Sequence, residues 1–164
     1  MDGYILEMQD ICKSFAGVQA LNDASLRVKK GETHCLIGAN GAGKSTLIKV
    51  LSGAYQRDSG DIIFGGNVFP EHYTTLNSRE KGIAIIYQEL SLVNKLSVAE
   101  NIFLNQFDSK IVNWETMKTK AEELTSRFNI SIDVTRPVSD LSIGQMQLIE
   151  ICKALSIGAE LIVM

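Results

Sequence analysis

The sequence is poor in the features that staple or anchor a chain. Its three cysteines, Cys12, Cys35 and Cys152, are odd in number, widely spaced and form no CxxC pair. Neither a disulfide framework nor a zinc site is indicated, and a reducing compartment is expected. No apolar run approaches the roughly 18 residues of a membrane span. The start, Met1-Asp2-Gly3-Tyr4, has no basic region followed by a long apolar stretch. There is no excess of positive charge either: a formal net charge of -3 and a pI near 5.4 give no electrostatic reason to expect nucleic acid or an anionic membrane surface as the main partner. Membrane association would then run through a partner protein, and phosphate binding would rest on local basic groups. Internal repeats and low-complexity segments are also lacking.

What is present is an ordinary globular composition. With 164 residues, 45% hydrophobic and 21% charged, the chain matches one domain with one core, within the roughly 100–200 residues usual for a domain. Tyr4, Leu6 and Met8 alternate with Glu7 and Gln9, and Ala24, Leu26 and Val28 alternate with Ser25, Arg27 and Lys29. Both stretches predict half-exposed antiparallel strands. Residues 33–37 form a short apolar run entering a glycine-rich stretch, which predicts a buried strand with His34 in it. A helix is expected from Lys44 to Leu51, stopped by Ser52-Gly53, and then a hairpin in which Gly65-Gly66 joins residues 61–64 to 67–69. Residues 82–87 are apolar and branched, as in a strand covered on both faces of a parallel sheet.

Further on, Ser97-Val98-Ala99-Glu100 is a capping box that opens a helix near Val98. Trp114, Met117, Ala121, Leu124 and Phe128 recur at steps of three and four on a second helix, a stripe that reads as core packing rather than a ligand site. Pro137 ends that region, and a third helix is expected over 143–157, stopped by Gly158.

Gly38-Ala39-Asn40-Gly41-Ala42-Gly43-Lys44-Ser45 matches GxxxxGK[ST] between the expected strand and helix. Glycines let the backbone curl so that amide groups point inward at phosphate oxygens, and the helix N-terminus adds partial positive charge. Lys44 would supply a full charge to the β- and γ-phosphates. Ser45, followed by Thr46, would offer a hydroxyl to Mg²⁺, which prefers oxygen ligands. The motif alone gives a nucleoside triphosphate and leaves kinase, GTPase and transporter ATPase open.

Leu141-Ser142-Ile143-Gly144-Gln145 opens the third helix, a second preformed anion site. Standing alone it would read as a serine cap on an amphipathic helix. Together with the phosphate loop and Gln88 between them, it resembles the ABC transporter nucleotide-binding domains, whose signature is LSGGQ. Ile143 departs from that signature at its third position. Within the family the chain is most similar to the cytoplasmic ATPases of monosaccharide importers of the ribose, xylose and galactose type, through residues 13–21, 31–34 and 141–155.

The resemblance implies an α/β fold: a P-loop NTPase (ABC ATPase) core, incomplete at the C-terminus, with an N-terminal antiparallel β subdomain and a helical subdomain. The boundaries would be 1–90 for the β part and core, 91–158 for the helical part, and 159–164 for the start of a further strand. It implies ATP and Mg²⁺ as cofactors. Phe15 would stack on adenine, and Gly38, Asn40, Gly41, Ala42, Gly43, Lys44, Ser45 and Thr46 would bind the nucleotide. Ser142, Gly144 and Gln145 would close on a nucleotide held by a second domain, head to tail. Gln88 would be the catalytic residue present and, with Ser45, a magnesium contact.

The implied partners are membrane-spanning permease subunits and a second nucleotide-binding domain, with a periplasmic or extracellular sugar-binding protein acting indirectly. The location would be peripheral, at the cytoplasmic face of the membrane. No residue would touch sugar, and His34 would not be a base. The family places a magnesium-supporting aspartate and a water-activating glutamate after four apolar residues. Leu161-Ile162-Val163-Met164 supplies those four and the sequence stops. Binding without hydrolysis is therefore expected, because positioning and charge stabilisation carry phosphoryl transfer. A piece of a longer protein is expected too, prone to self-association through unpaired strand edges. The alternative is a regulatory or structural module that binds nucleotide without turnover. A GTPase fits poorly, because Asn94-Lys95-Leu96-Ser97 lacks the aspartate of NKxD.

Overall fold

The computed structural model describes residues 3–87, 89–104, 106 and 113–164, and they form two compact units, Met1–Ile83 and Ala84–Met164.

The first unit is built on a four-stranded antiparallel sheet. Strands β1 (Tyr4–Phe15), β2 (Val18–Lys29), β3 (Ser59–Phe64) and β4 (Asn67–Val68) lie in the order β2-β1-β3-β4. The expected alternation holds. Leu6, Met8 and Ile11 of β1 are buried with Ile62 and Phe64 of β3, whereas Ser25, Arg27 and Lys29 of β2 face solvent. Gly65 and Gly66, at φ 56 and 78, make the two-residue turn of the β3–β4 hairpin, a left-handed pair that glycine adopts without strain.

Helix α1 (Lys44–Leu51) packs Leu47, Val50 and Leu51 inward and ends at Ser52, as expected. Its last carbonyls find partners in the next segment: Tyr73 Oη donates to Val50 and Leu51, and Ser78 Oγ to Leu51 at 3.1 Å. Ser78 lies on α2 (Thr75–Glu80), a short helix with a capping box between Thr74 and Asn77. Arg57 is buried and donates to the carbonyls of Gly60, Pro70 and Phe69, which fixes the crossing between α1 and the hairpin.

The expected strand over 33–37 is absent. These residues have no regular structure and are exposed, Ile37 at 90%. A strand exists only through ladder hydrogen bonds, and among the described residues no strand pairs with this run. His34 bonds instead to Glu32, Nδ1 to Oε1 at 2.8 Å.

In the second unit β5 (Ile83–Ile85) pairs with β6 (Leu161–Val163), and Ile86 N donates to Val163 O at 2.8 Å. The strand is shorter than 82–87, and Tyr87 is exposed rather than covered. Helices α3 (Val98–Ile102), α4 (Trp114–Arg127) and α5 (Ile143–Ser156) enclose a core centred on Ile102, Ala121, Ile149 and Cys152. Ser97 and Glu100 form the expected capping box. Met117 and Ala121 of the α4 stripe are buried, but Trp114 and Phe128 at its ends are exposed, because the periodicity runs past the patch that packs. Among the described residues no helix is long and apolar enough to cross a membrane.

Candidate functional site

The phosphate loop sits in the first unit with residues 38–42 exposed. Gly43 is the residue before α1, at φ 86, and a Cβ there would lie 2.8 Å from Ala20 O and 2.9 Å from a Leu21 methyl. Only glycine permits that turn and that approach to β2. Helices α2, α3, α4 and α5 each carry a side-chain cap; α1 carries none. Among the described residues its first-turn amides therefore have no side-chain acceptor, which leaves them available to an anion.

Lys44 Nζ donates to Gly38 O at 2.6 Å and Ala39 O at 2.8 Å, and Ala42 N donates to Ala39 O at 3.2 Å. The ammonium is thus held over the loop opening by neutral carbonyls, which more strongly charged phosphate oxygens can replace. Ser45 is exposed, with no hydrogen-bond partner for its hydroxyl among the described residues, and Thr46 is half-buried in the first helical turn. Among the described residues no group of three or more His, Cys, Asp or Glu side chains could hold a metal. A magnesium ion at Ser45 would take most of its oxygens from nucleotide and water, which suits how that ion binds.

Phe15 closes β1 beside the Ala16-Gly17 turn and is 38% exposed. Its ring meets Tyr55 edge to face, centroids 5.0 Å apart, and Lys13 Nζ lies 5.3 Å from the ring centroid. Asp58 fixes this end of the hairpin by accepting from Lys13 Nζ and from Ser14 N, both at 2.6 Å. The Lys13 hydrogen bond, then that of Ser14, holds the Asp58 carboxyl below its ordinary value. Sequence reasoning missed Tyr55 and Asp58, and nothing in a local pattern marks them, since Asp58 stands 45 residues from Lys13.

In the second unit Ser142 caps α5, accepting from Gln145 N at 3.3 Å, while Gln145 Oε1 accepts from Ser142 N at 2.9 Å and Ser142 Oγ at 3.1 Å. Ser142 and Gln145 therefore hold each other in place. A Cβ on Gly144 would meet nothing within 4 Å, so its own unit does not demand a glycine; what the small residue leaves is an open surface at a helix N-terminus. Ile143, where the resemblance has glycine, is 72% exposed. Phe15 and residues 38–46 belong to the first unit; Ser142, Gly144 and Gln145 belong to the second. Gln88 lies outside the described residues.

Comparison with known proteins gives a consistent result. The family model described as ABC transporter matches residues 21–164. The xylose import ATP-binding protein XylG of Moorella thermoacetica is 45% identical, the match covering 100% of this chain and 33% of the relative. The arabinose import ATP-binding protein AraG of Vibrio parahaemolyticus is 48% identical over 96% of this chain and 31% of its own length. The galactose/methyl galactoside import ATP-binding protein MglA of Escherichia coli is 42% identical over 98% of this chain and 32% of its own. The chain thus spans about a third of the length of the curated relatives it matches. Among solved structures, a nucleotide-free ATP-binding cassette from an ABC transporter superposes with a TM-score of 0.82 at 28% identity, covering 97% of this chain and 67% of that one.

Proposed function

Because the chain belongs to the ABC transporter family, we propose that it is the nucleotide-gripping part of a subunit that energises sugar import. The observation that carries this reading is the uncapped start of α1, with Gly43 wedged against Ala20 and the Lys44 ammonium poised over the loop. Sugar as the cargo is supported by the three relatives reported above, each a sugar import ATP-binding protein.

Lys44 exchanges the Gly38 and Ala39 carbonyls for β- and γ-phosphate oxygens, and the first-turn amides of α1 take the remaining charge. Phe15, with Tyr55 against it edge to face, offers the exposed part of its ring to adenine. Ser45 presents its hydroxyl to magnesium. That ion, brought with the nucleotide, supplies neutralisation of the phosphate charge. Gln88 senses the γ-phosphate or the attacking water. Ser142 and Gly144 close on a nucleotide held by a second domain of the same kind, using the open surface at the start of α5. Permease subunits at the cytoplasmic face of the membrane would receive the movement, with a sugar-binding protein upstream of them.

The 164-residue polypeptide assayed by itself is proposed to bind Mg-ATP without turning it over, since the acids that the family resemblance assigns to magnesium support and water activation have no counterpart in it. Calorimetry with Mg-ATP on this polypeptide and on Lys44→Ala, with phosphate release followed in the same samples, tests the reading. Binding that Lys44→Ala abolishes, with no release from either, is the expected result. Binding indifferent to Lys44 would refute the assigned site, and Lys44-dependent release would refute the lack of turnover.

A further inference from the structure

One exposed residue of the second unit, Ser91, has all its polar groups bound by α5. Ser91 N and Oγ both donate to Glu150 Oε1, at 2.6 and 2.9 Å. Lys153 Nζ donates to Ser91 O at 3.2 Å and to Ser91 Oγ at 3.3 Å. Glu150 is 94% buried by its 6% exposure, so a carboxylate has been taken out of water to make these bonds. An apolar side chain at 150 would pack the helix without that desolvation cost. What the carboxylate adds is location: it fixes where Ser91 sits and which way its backbone faces.

The neighbouring residues are held by a second buried polar group. Asn101 of α3, fully buried, accepts from Val93 N at 2.7 Å and donates to the carbonyls of Val93, Leu96 and Ser97. Residues 91–97 have almost no regular structure of their own, yet they are tied to α3 by one side chain and to α5 by two. Ser91 follows Gln88 by three positions, and Glu150 lies eight positions along the helix that Ser142 caps.

We propose that Glu150 and Lys153 are positioning residues that make the segment following Gln88 move as one body with α5, so that nucleotide contact at Ser142 and Gly144 is transmitted to Gln88. The inference rests on the nucleotide roles given above to Ser142, Gly144 and Gln88. It assigns the polar link itself, and not packing, as the carrier of the coupling. Coupling of this kind needs a contiguous physical connection, and the Glu150–Ser91–Lys153 clasp is one.

The test is steady-state ATPase kinetics of the full-length gene product with its membrane subunits, comparing Glu150→Ala, Glu150→Gln, Ser91→Ala, and Glu150→Ala with Ser91→Ala combined. Glu150→Ala lowers kcat about tenfold and moves KM for ATP less than about twofold, the pattern of a contact that matters to the reaction step and not to ground-state binding. Glu150→Gln keeps an acceptor for Ser91 and recovers most of the rate. The double variant is no slower than Glu150→Ala, since both changes break one link. Should Glu150→Ala not fold, Ser91→Ala decides the matter through a fall in kcat smaller than tenfold, because it removes the hydroxyl bonds while the Ser91 N–H still reaches Glu150, and because Ser91 is exposed and its loss opens no core. A lowered melting temperature with unchanged turnover per folded molecule, or a kcat unaffected by both Ser91→Ala and Glu150→Ala while Lys44→Ala abolishes turnover, overturns the coupling role alone. Turnover that survives Lys44→Ala, or none in the unaltered protein, overturns the nucleotide reading and this proposal with it.

Discussion

Lys44 Nζ and Gly38 O are 2.6 Å apart, so the lysine of the phosphate loop reaches back to the residue that begins the loop. The contact is exposed and joins a charge to a neutral carbonyl, which makes it easy to replace. Lys44→Gln should therefore leave the urea midpoint nearly unchanged, within about 0.5 kcal/mol as for most exposed substitutions. ATP affinity measured on the same samples should fall at least about tenfold, or 1.4 kcal/mol. A large loss of stability with affinity retained would mean that Lys44 is a loop brace and not a phosphate ligand.

Two glycines should respond in opposite ways to the same change. Gly43→Ala forces a side chain into φ 86 and against Ala20 O at 2.8 Å, which should cost about 1–3 kcal/mol in denaturant titrations and distort the loop. Gly144→Ala adds a methyl to open space in the first turn of α5 and should stabilise by up to about 1 kcal/mol. Any loss of nucleotide-driven pairing between domains in Gly144→Ala would then come from the surface and not from the fold, and sedimentation with Mg-ATP would detect it.

The three thiols should separate by reactivity. Burial pushes the Cys152 thiol up to about 11 from 9.0, Cys35 is exposed, and Cys12 is partly buried with its Sγ donating to Asp23 Oδ1 at 3.2 Å. Iodoacetamide at pH 8 should modify Cys35 first and Cys152 only on unfolding. Because the folded chain binds the Cys152 proton more tightly than the unfolded chain, this group's contribution to stability is intact below pH 9 and falls as pH rises from 9 towards 11. A Cys152→Ala variant with the same alkaline slope would show that other groups set it.

Asp58 gives an acid-side counterpart. Its carboxyl is held below 3.8 in the folded chain, so the unfolded chain takes up the proton first as pH falls. The stabilisation is present above about pH 4 and is lost as pH drops through the lowered folded value. In urea titrations Asp58→Asn should differ from the unaltered chain at pH 7 and converge with it as pH falls through that lowered value. Adenine-nucleotide affinity should weaken at pH 7, through loss of the anchor for Ser14 and hence of the Phe15 ring position.

Local signals account for what the sequence disclosed. The alternation around Leu6 and Met8, the Gly65-Gly66 turn, and the boxes at Ser97 and Ser142 each act over a few residues, and each appears where it was expected. The run over 33–37 misled because apolar, branched residues describe only what a strand would bury, not whether a partner strand is there to pair with it. The Thr74–Asn77 box went unread because its third residue is Asn, a poorer signal than Glu or Gln. Within the candidate site, Lys44, Ser45 and Ser142 were legible from motif spacing. The Tyr55 ring behind Phe15, Asp58 under Ser14 and the Glu150 clasp were not, because each joins residues far apart in sequence through contacts that only tertiary packing sets.

The span of the Glu150–Ser91 bond has a consequence for how the chain emerges from the ribosome. Helix caps at Thr74, Ser97 and Ser142 close over three residues and can form almost as soon as they are made. Ser91 must wait for a partner 59 residues later, a delay of roughly 3–12 s at about 5–20 residues per second. During that interval residues 91–97 of the second unit have their Asn101 tether within a few residues but no clasp from α5. Slowing translation shortly before codon 150 should lengthen the time for which the segment, already clear of the ribosome, can be cut by a protease added to stalled chains, and release of the completed α5 should end it.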